Sequence, residues 1–153
     1  MKKREILIIL KSLTRYMLIF LFTYTGINKL IDHDVFYSSI LQSPIIKNQA
    51  ALISWLVPVF ELLIVVMLVS RNYNHTGLLY SLLLLLMFTF YIAYMILFIP
   101  HLPCSCGGVL KKLSWNNHIL FNSFLIIITF ISLRSDNQHK LFIAINRSSR
   151  KPV

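Results

Sequence analysis

The sequence predicts an all-α membrane protein, a four-transmembrane-helix bundle with both termini cytoplasmic, and three observations carry that expectation. Hydrophobic residues make up 57% of the 153 residues and charged residues only 13%, where an ordinary soluble domain has about 45–50% and about 25%. The apolar residues gather into four long runs, each near the roughly 20 residues that a helix needs to cross a hydrocarbon core. None of the runs alternates as barrel strands do, and only helices or closed barrels satisfy their backbone in lipid. The mean hydropathy of +0.72 agrees. A formal charge of +10 does not point to nucleic acid. The basic residues stand at the ends of apolar runs, not on one face among exposed aromatics.

The first run extends from about Ile6 to Ile31 and is densest at "YMLIFLFTYTGI". It follows "MKKRE" as the core of a signal peptide would. Lys11 and Arg15 interrupt it, however, and "GINKL" stands where a small-residue cleavage site would be, so it is read as a retained helix. The second run is "AALISWLVPVFELLIVVMLV", Ala50 to Val69, and the third covers Leu78 to Pro100. Between them "SRNYNHTG" is short enough to force antiparallel packing. The connection "KLIDHDVFYSSILQSPIIKNQ" has room for a turn of interfacial helix. The fourth run, about Leu113 to Leu133, opens on Trp115, Asn116, Asn117 and His118. Trp115 suits an interfacial anchor, and Ser114 or an asparagine suits a cap. The expected division is a basic N-terminus (1–5), a membrane domain (6–133) and a basic tail (134–153) whose small apolar knot suits the inner leaflet.

Orientation follows from counting Lys and Arg. With the N-terminus inside, Lys2, Lys3, Arg4, Lys11, Arg15, Arg71, Arg134, Lys140, Arg147, Arg150 and Lys151 face the cytoplasm, and Lys29, Lys47, Lys111 and Lys112 face out. Eleven against four places both termini inside. The stretch between the third and fourth runs then faces the periplasm or cell exterior, the side on which disulfides persist.

That stretch, "HLPCSCGGVLKK", holds the only two cysteines, Cys104 and Cys106. A disulfide needs α-carbons about 4.4–6.8 Å apart, and Pro103 with Gly107-Gly108 supplies the sharp turn that residues two apart require. So small a ring is strained and exchanges readily. His101, Lys111 and Lys112 add positive charge that favours the thiolate. A second reading assigns Cys104, Cys106, His101 and His118 to a tetrahedral zinc or copper site, although the spacing matches no standard zinc signature. A third takes the cysteines as small structural residues.

Charge inside the apolar runs is the other signal. Glu61 lies about eight residues, or roughly 12 Å, from the inner end of the second run. Arg15 lies at similar depth in the first if that helix starts near Ile6. An ionisable group in lipid normally finds a partner, so an Arg15–Glu61 pair is expected. The pair either locks the two helices or lines a pocket for a quinone head group or proton path, with Pro58 freeing a carbonyl nearby. Lys29 is expected to snorkel from the end of helix one to the outer interface.

"R…FTYTGINKL", "PVFELL" and "PCSCGG", in this order over about residues 12–133, resemble the MauE/DoxX superfamily, with the MauE branch nearest. The family commonly reads "CxCFG" at the cysteines, and this chain has Gly107-Gly108 there. The resemblance implies a four-helix inner-membrane protein tied to periplasmic thiol–disulfide chemistry, in the context of methylamine utilisation. There the family is thought to help mature a disulfide-rich dehydrogenase subunit. It implies Cys104 and Cys106 as the redox pair and places Arg15, Gly26, Lys29, Pro58 and Glu61 in shared helix motifs.

Two classes of function stand on this reading. In one, the chain is a thiol–disulfide oxidoreductase or relay that works with a periplasmic thioredoxin-like or cysteine-rich partner. With no second internal pair, its electrons pass to a partner protein or to a quinone. In the other, the chain is a non-catalytic membrane assembly or metal-delivery factor.

Overall fold

Four long helices cross back and forth in a computed structural model that describes residues 2–98 and 115–148, with side chains described for 5–97 and 117–134. Helix α1 spans Lys2–Ile31 and the short α2 spans His33–Leu41. A single 3-10 turn at Lys47–Gln49 leads into α3, Ala50–Val69. Helix α4 covers Asn74–Phe98 and α5 covers Trp115–Ser148. Four helical stretches are long and apolar enough to cross a membrane: Glu5–Ile31, Lys47–Val69 (the 3-10 turn together with α3), Asn74–Leu97 and Asn117–Arg134. The chain is therefore a multi-pass membrane protein, and its bilayer partner is built into its composition.

The helices form a closed ring in which α1 touches α3 and α5, and α4 touches α3 and α5. Neighbours run antiparallel. Thr14 of α1 meets Ser132 of α5 at one end, and Phe22 and Lys29 of α1 share a cavity with His118 and Asn122 of α5 towards the other. Helix α2 lies across the second end, where α1 stops and α3 starts. It is held there by Ile40, which is buried, and by His33, whose ring meets that of Trp55 at a tilt of 31° with centroids 4.3 Å apart and whose Nε2 lies 3.1 Å from Ser54 Oγ. The connection expected to hold a turn of helix thus holds one of nine residues.

Burial follows the helical period. The inward face of α3 is Ala50, Ser54, Pro58, Glu61, Ile64 and Leu68, with steps of three and four residues as a 3.6-residue repeat requires. Leu18, Phe22, Ile64, Leu68, Leu78, Leu85, Leu125 and Leu133 join the four helices in one apolar core. Large apolar side chains such as Phe20, Val66, Phe90 and Leu120 stand on the outside, where lipid replaces water. The interior carries much of the polarity instead: Thr14, Ser54, Ser81, Thr129 and Ser132 are all buried. In lipid, packing and interhelical hydrogen bonds hold helices together, and small polar residues serve both. Ser132 Oγ of α5 donates to Thr14 Oγ1 of α1 at 3.2 Å, whereas Ser81 Oγ is satisfied within α4 by the Gly77 carbonyl at 2.8 Å.

Gly77 explains how closely α3 and α4 approach after their short turn. A Cβ at this position would stand 3.0 Å from the Leu68 backbone nitrogen, tighter than nearly all real Cβ contacts, so the α3 backbone would have to give by a few tenths of an ångström. Glycine lets the antiparallel pair close here without that shift.

Two helices are longer than expected. Helix α1 starts at Lys2 and has 30 residues, and α5 has 34. At about 1.5 Å per residue each exceeds a hydrocarbon core of about 30 Å. The expected separate tail from residue 134 is instead continuous helix to Ser148. No Gly or Pro stands between Arg134 and Ser148 to stop it.

Candidate functional site

The sequence places one acidic residue in the apolar part of α3, and the structure surrounds it. Glu61 is 3% exposed, and Lys29 Nζ donates to its Oε1 in a buried ion pair between α3 and α1. This corrects both expectations about the intramembrane charges. Arg15 is not the partner of Glu61, and Lys29 does not snorkel to the interface: it is 5% exposed. Arg15 instead donates from Nη2 to the Val69 carbonyl at 3.0 Å. There it satisfies one of the carbonyls that every helix leaves open at its C-terminus, an end that favours a cation.

Register and side-chain direction explain the exchange of partners. Arg15 lies level with the end of α3, and Glu61 is eight residues back from Val69, roughly 12 Å along the axis. Depth estimated from a start at Ile6 fails because α1 is longer than one membrane crossing. Side chains on a helix also lean towards its N-terminus. Arg15 therefore leans away from Glu61, and Lys29, from further along α1, leans back towards it. Gly26 stands between them at the level of the carboxylate. A Cβ there would lie 3.4 Å from both Glu61 Cβ and Oε2 and 3.3 Å from Leu62 Cγ, so α1 and α3 are already in contact at the level of the carboxylate with no side chain between them.

The ammonium of Lys29 has further neighbours. It lies 4.8 Å from the ring centre of Phe88 and 5.5 Å from that of Phe36, and the faces of aromatic rings attract cations. Glu61 Oε2 is buried without a hydrogen-bond partner among the described residues. The Thr25 hydroxyl is close by, but its one proton goes to the Leu21 carbonyl at 3.0 Å.

The ion pair forms one side of a cavity of about 60 Å³. Helix α1 contributes Phe22, Thr25 and Lys29, α4 contributes Leu84, Phe88 and Ile92, and α5 contributes His118, Phe121 and Asn122. His118 and Asn122, one helical turn apart on the inward face of α5, are 5% and 9% exposed. The sequence reading treated His118 only as a possible metal ligand and passed over Asn122, Thr25 and the three phenylalanines. The signal was present: polar residues at positions 118 and 122 of an otherwise apolar run mark a face that avoids lipid.

Cys104, Cys106 and His101 lie outside the described residues, so the metal set that includes them has only His118 inside the described part. Among the described residues, no three His, Cys, Asp or Glu side chains gather where they could hold a metal. The stretch 99–114 leaves the end of α4 and enters α5 at Trp115. Ile92 and His118 are within about 9 Å and about 5 Å of those helix ends along their axes. The cavity and the cysteine-bearing connection therefore belong to the same end of the bundle.

A helical, multi-pass membrane protein with a buried ion pair beside an aromatic cavity is the class that this fold and site define. The family model described as methylamine utilisation protein MauE matches residues 6–135, from the first candidate span to the end of the fourth. The chain belongs to that family. Neither a curated protein nor a solved structure matches it.

Proposed function

We propose that the chain supports thiol–disulfide exchange on the outer face of a bacterial inner membrane, acting on a periplasmic thioredoxin-like or cysteine-rich partner through Cys104 and Cys106. The observation that carries the reading is the pairing itself: the chain's only two cysteines stand two residues apart, between a proline and two glycines, in the connection from α4 to α5. The charge bias of the chain supports an outward position for this connection. Membership of a family described by methylamine utilisation is consistent with a partner that needs its disulfides formed for that metabolism.

The chemistry balances as follows. A thiolate of the partner attacks the Cys104–Cys106 disulfide, forms a mixed disulfide with one sulfur and releases the other as a thiolate. A second partner thiolate then resolves the mixed disulfide. The partner gains a disulfide and this chain is left with two thiols, two electrons and two protons having changed hands. Renewal of the pair requires a two-electron acceptor.

Replacing Cys106 with Ala and trapping mixed disulfides in cells tests the reading. The expected result is a specific periplasmic protein attached to Cys104, released by reductant. If nothing is captured and the wild-type pair never changes redox state, the exchange role fails and a non-catalytic assembly role takes its place. Labelling Cys104 of the Cys106→Ala variant with a membrane-impermeant thiol reagent checks the side: label on intact spheroplasts is expected, and label only after lysis would contradict the orientation.

A further inference from the structure

We infer that the cavity beside Lys29 and Glu61 is a binding site for the head group of a lipid-soluble quinone. The inference deepens the proposed function by naming the class of two-electron acceptor, but binding itself does not depend on the cysteines.

The walls select a flat, apolar ring. Phe22, Phe88 and Phe121 come from three different helices to line one space, and aromatic rings stack or meet edge to face with a planar guest. The space is several times the roughly 10–15 Å³ that a single water takes. Phe121 both lines this space and is 37% exposed, so that wall of the cavity also forms part of the outer surface of the bundle. In a membrane that surface is hydrocarbon, and the guest comes from the lipid.

The polar side selects a neutral molecule with oxygen on the ring. Lys29 and Glu61 offset each other, so an ion entering here would be left without a counter-charge in a low-dielectric site. Plain hydrocarbon, such as an acyl tail, would leave the polar lining without partners at a cost. An ammonium has three N–H donors, of which the ion pair uses one, and the Asn122 amide both donates and accepts. A quinone carbonyl can accept from Lys29 or Asn122, and a quinol hydroxyl can donate to the Asn122 carbonyl oxygen. Both oxidation states therefore find a partner, as a site of electron exchange requires.

The test uses the full chain, purified and reconstituted in lipid nanodiscs, with decylubiquinone as the probe. Saturable, stoichiometric binding is expected. Leu84→Trp, which fills the cavity and leaves the ion pair untouched, should abolish it. Asn122→Leu should weaken it about ten-fold, the equivalent of about 1.4 kcal/mol for a lost hydrogen bond. Val66→Trp on the lipid-facing surface should leave binding unchanged. A variant with both cysteines replaced by serine should bind as the wild type does, which separates this site from the exchange reading: failed capture of a partner with intact quinone binding would overturn only the latter. Non-saturable partition into the nanodisc, or saturable binding that neither Leu84→Trp nor Asn122→Leu alters, would overturn the quinone site.

Discussion

Arg15 and Lys29 are both cations of α1 that turn towards α3, yet the two ends of the bundle use them in opposite ways. At the end that carries the termini, Arg15 is half-buried and donates to the final carbonyl of α3. Its neighbours there are tightly closed: Thr14 is fully buried against Ser132, and Gly77 packs on the Leu68 backbone. At the other end Lys29 is inside the protein, paired with Glu61, and the helices leave a cavity around the pair. One end is built for closure and the other for a guest. The difference teaches that a cation in an apolar run is not defined by its sequence position alone. What it meets depends on where the facing helix stops and on which way its side chain leans.

The comparison can be broken by substitution, and the largest effect is expected at the ion pair. Glu61→Ala or Lys29→Ala alone leaves one charge buried without a partner, which costs about 3–5 kcal/mol. Thermal unfolding in detergent should show it as a sharp fall in melting temperature and in folded yield. The double variant Lys29→Met with Glu61→Leu should recover much of that loss, because two apolar residues leave nothing unpaired.

The next effect belongs to the closed end. Gly77→Val forces a side chain against the Leu68 backbone and should cost about 1–3 kcal/mol as overpacking, with the α3–α4 turn becoming the first site of proteolysis. Arg15→Ala should matter less, about 0.3–1 kcal/mol, since it removes only a favourable cation from a helix end. Ser132→Ala should be smallest, near the roughly 0.6 kcal/mol typical of a hydrogen bond between membrane helices. If Arg15→Ala proved as damaging as Lys29→Ala, the contrast between the two ends would be lost.

The sequence made the spans legible because membrane crossing leaves a strong signal: long apolar runs, separated by short polar turns. The short helix α2 was legible too, as a connection longer than it needed to be. The ion pair was only half legible. Glu61 was visible as a charge in lipid, but its partner depended on an axial register that composition does not carry. Gly26 marks that register, as the place where α1 has no side chain opposite the carboxylate. The cavity was least legible, because Phe22, Phe88 and Phe121 resemble ordinary lipid-facing residues until the helices bring them together.

A double-mutant cycle on the purified chain tests the central assignment most directly, with Glu61→Gln combined in turn with Lys29→Met and with Arg15→Met. Unfolding by a denaturing detergent should give a coupling of about 1 kcal/mol or more between Glu61 and Lys29, the size expected of residues in direct contact. Between Glu61 and Arg15 the effects should add. A strong coupling of Glu61 to Arg15, with none to Lys29, would contradict the site described here.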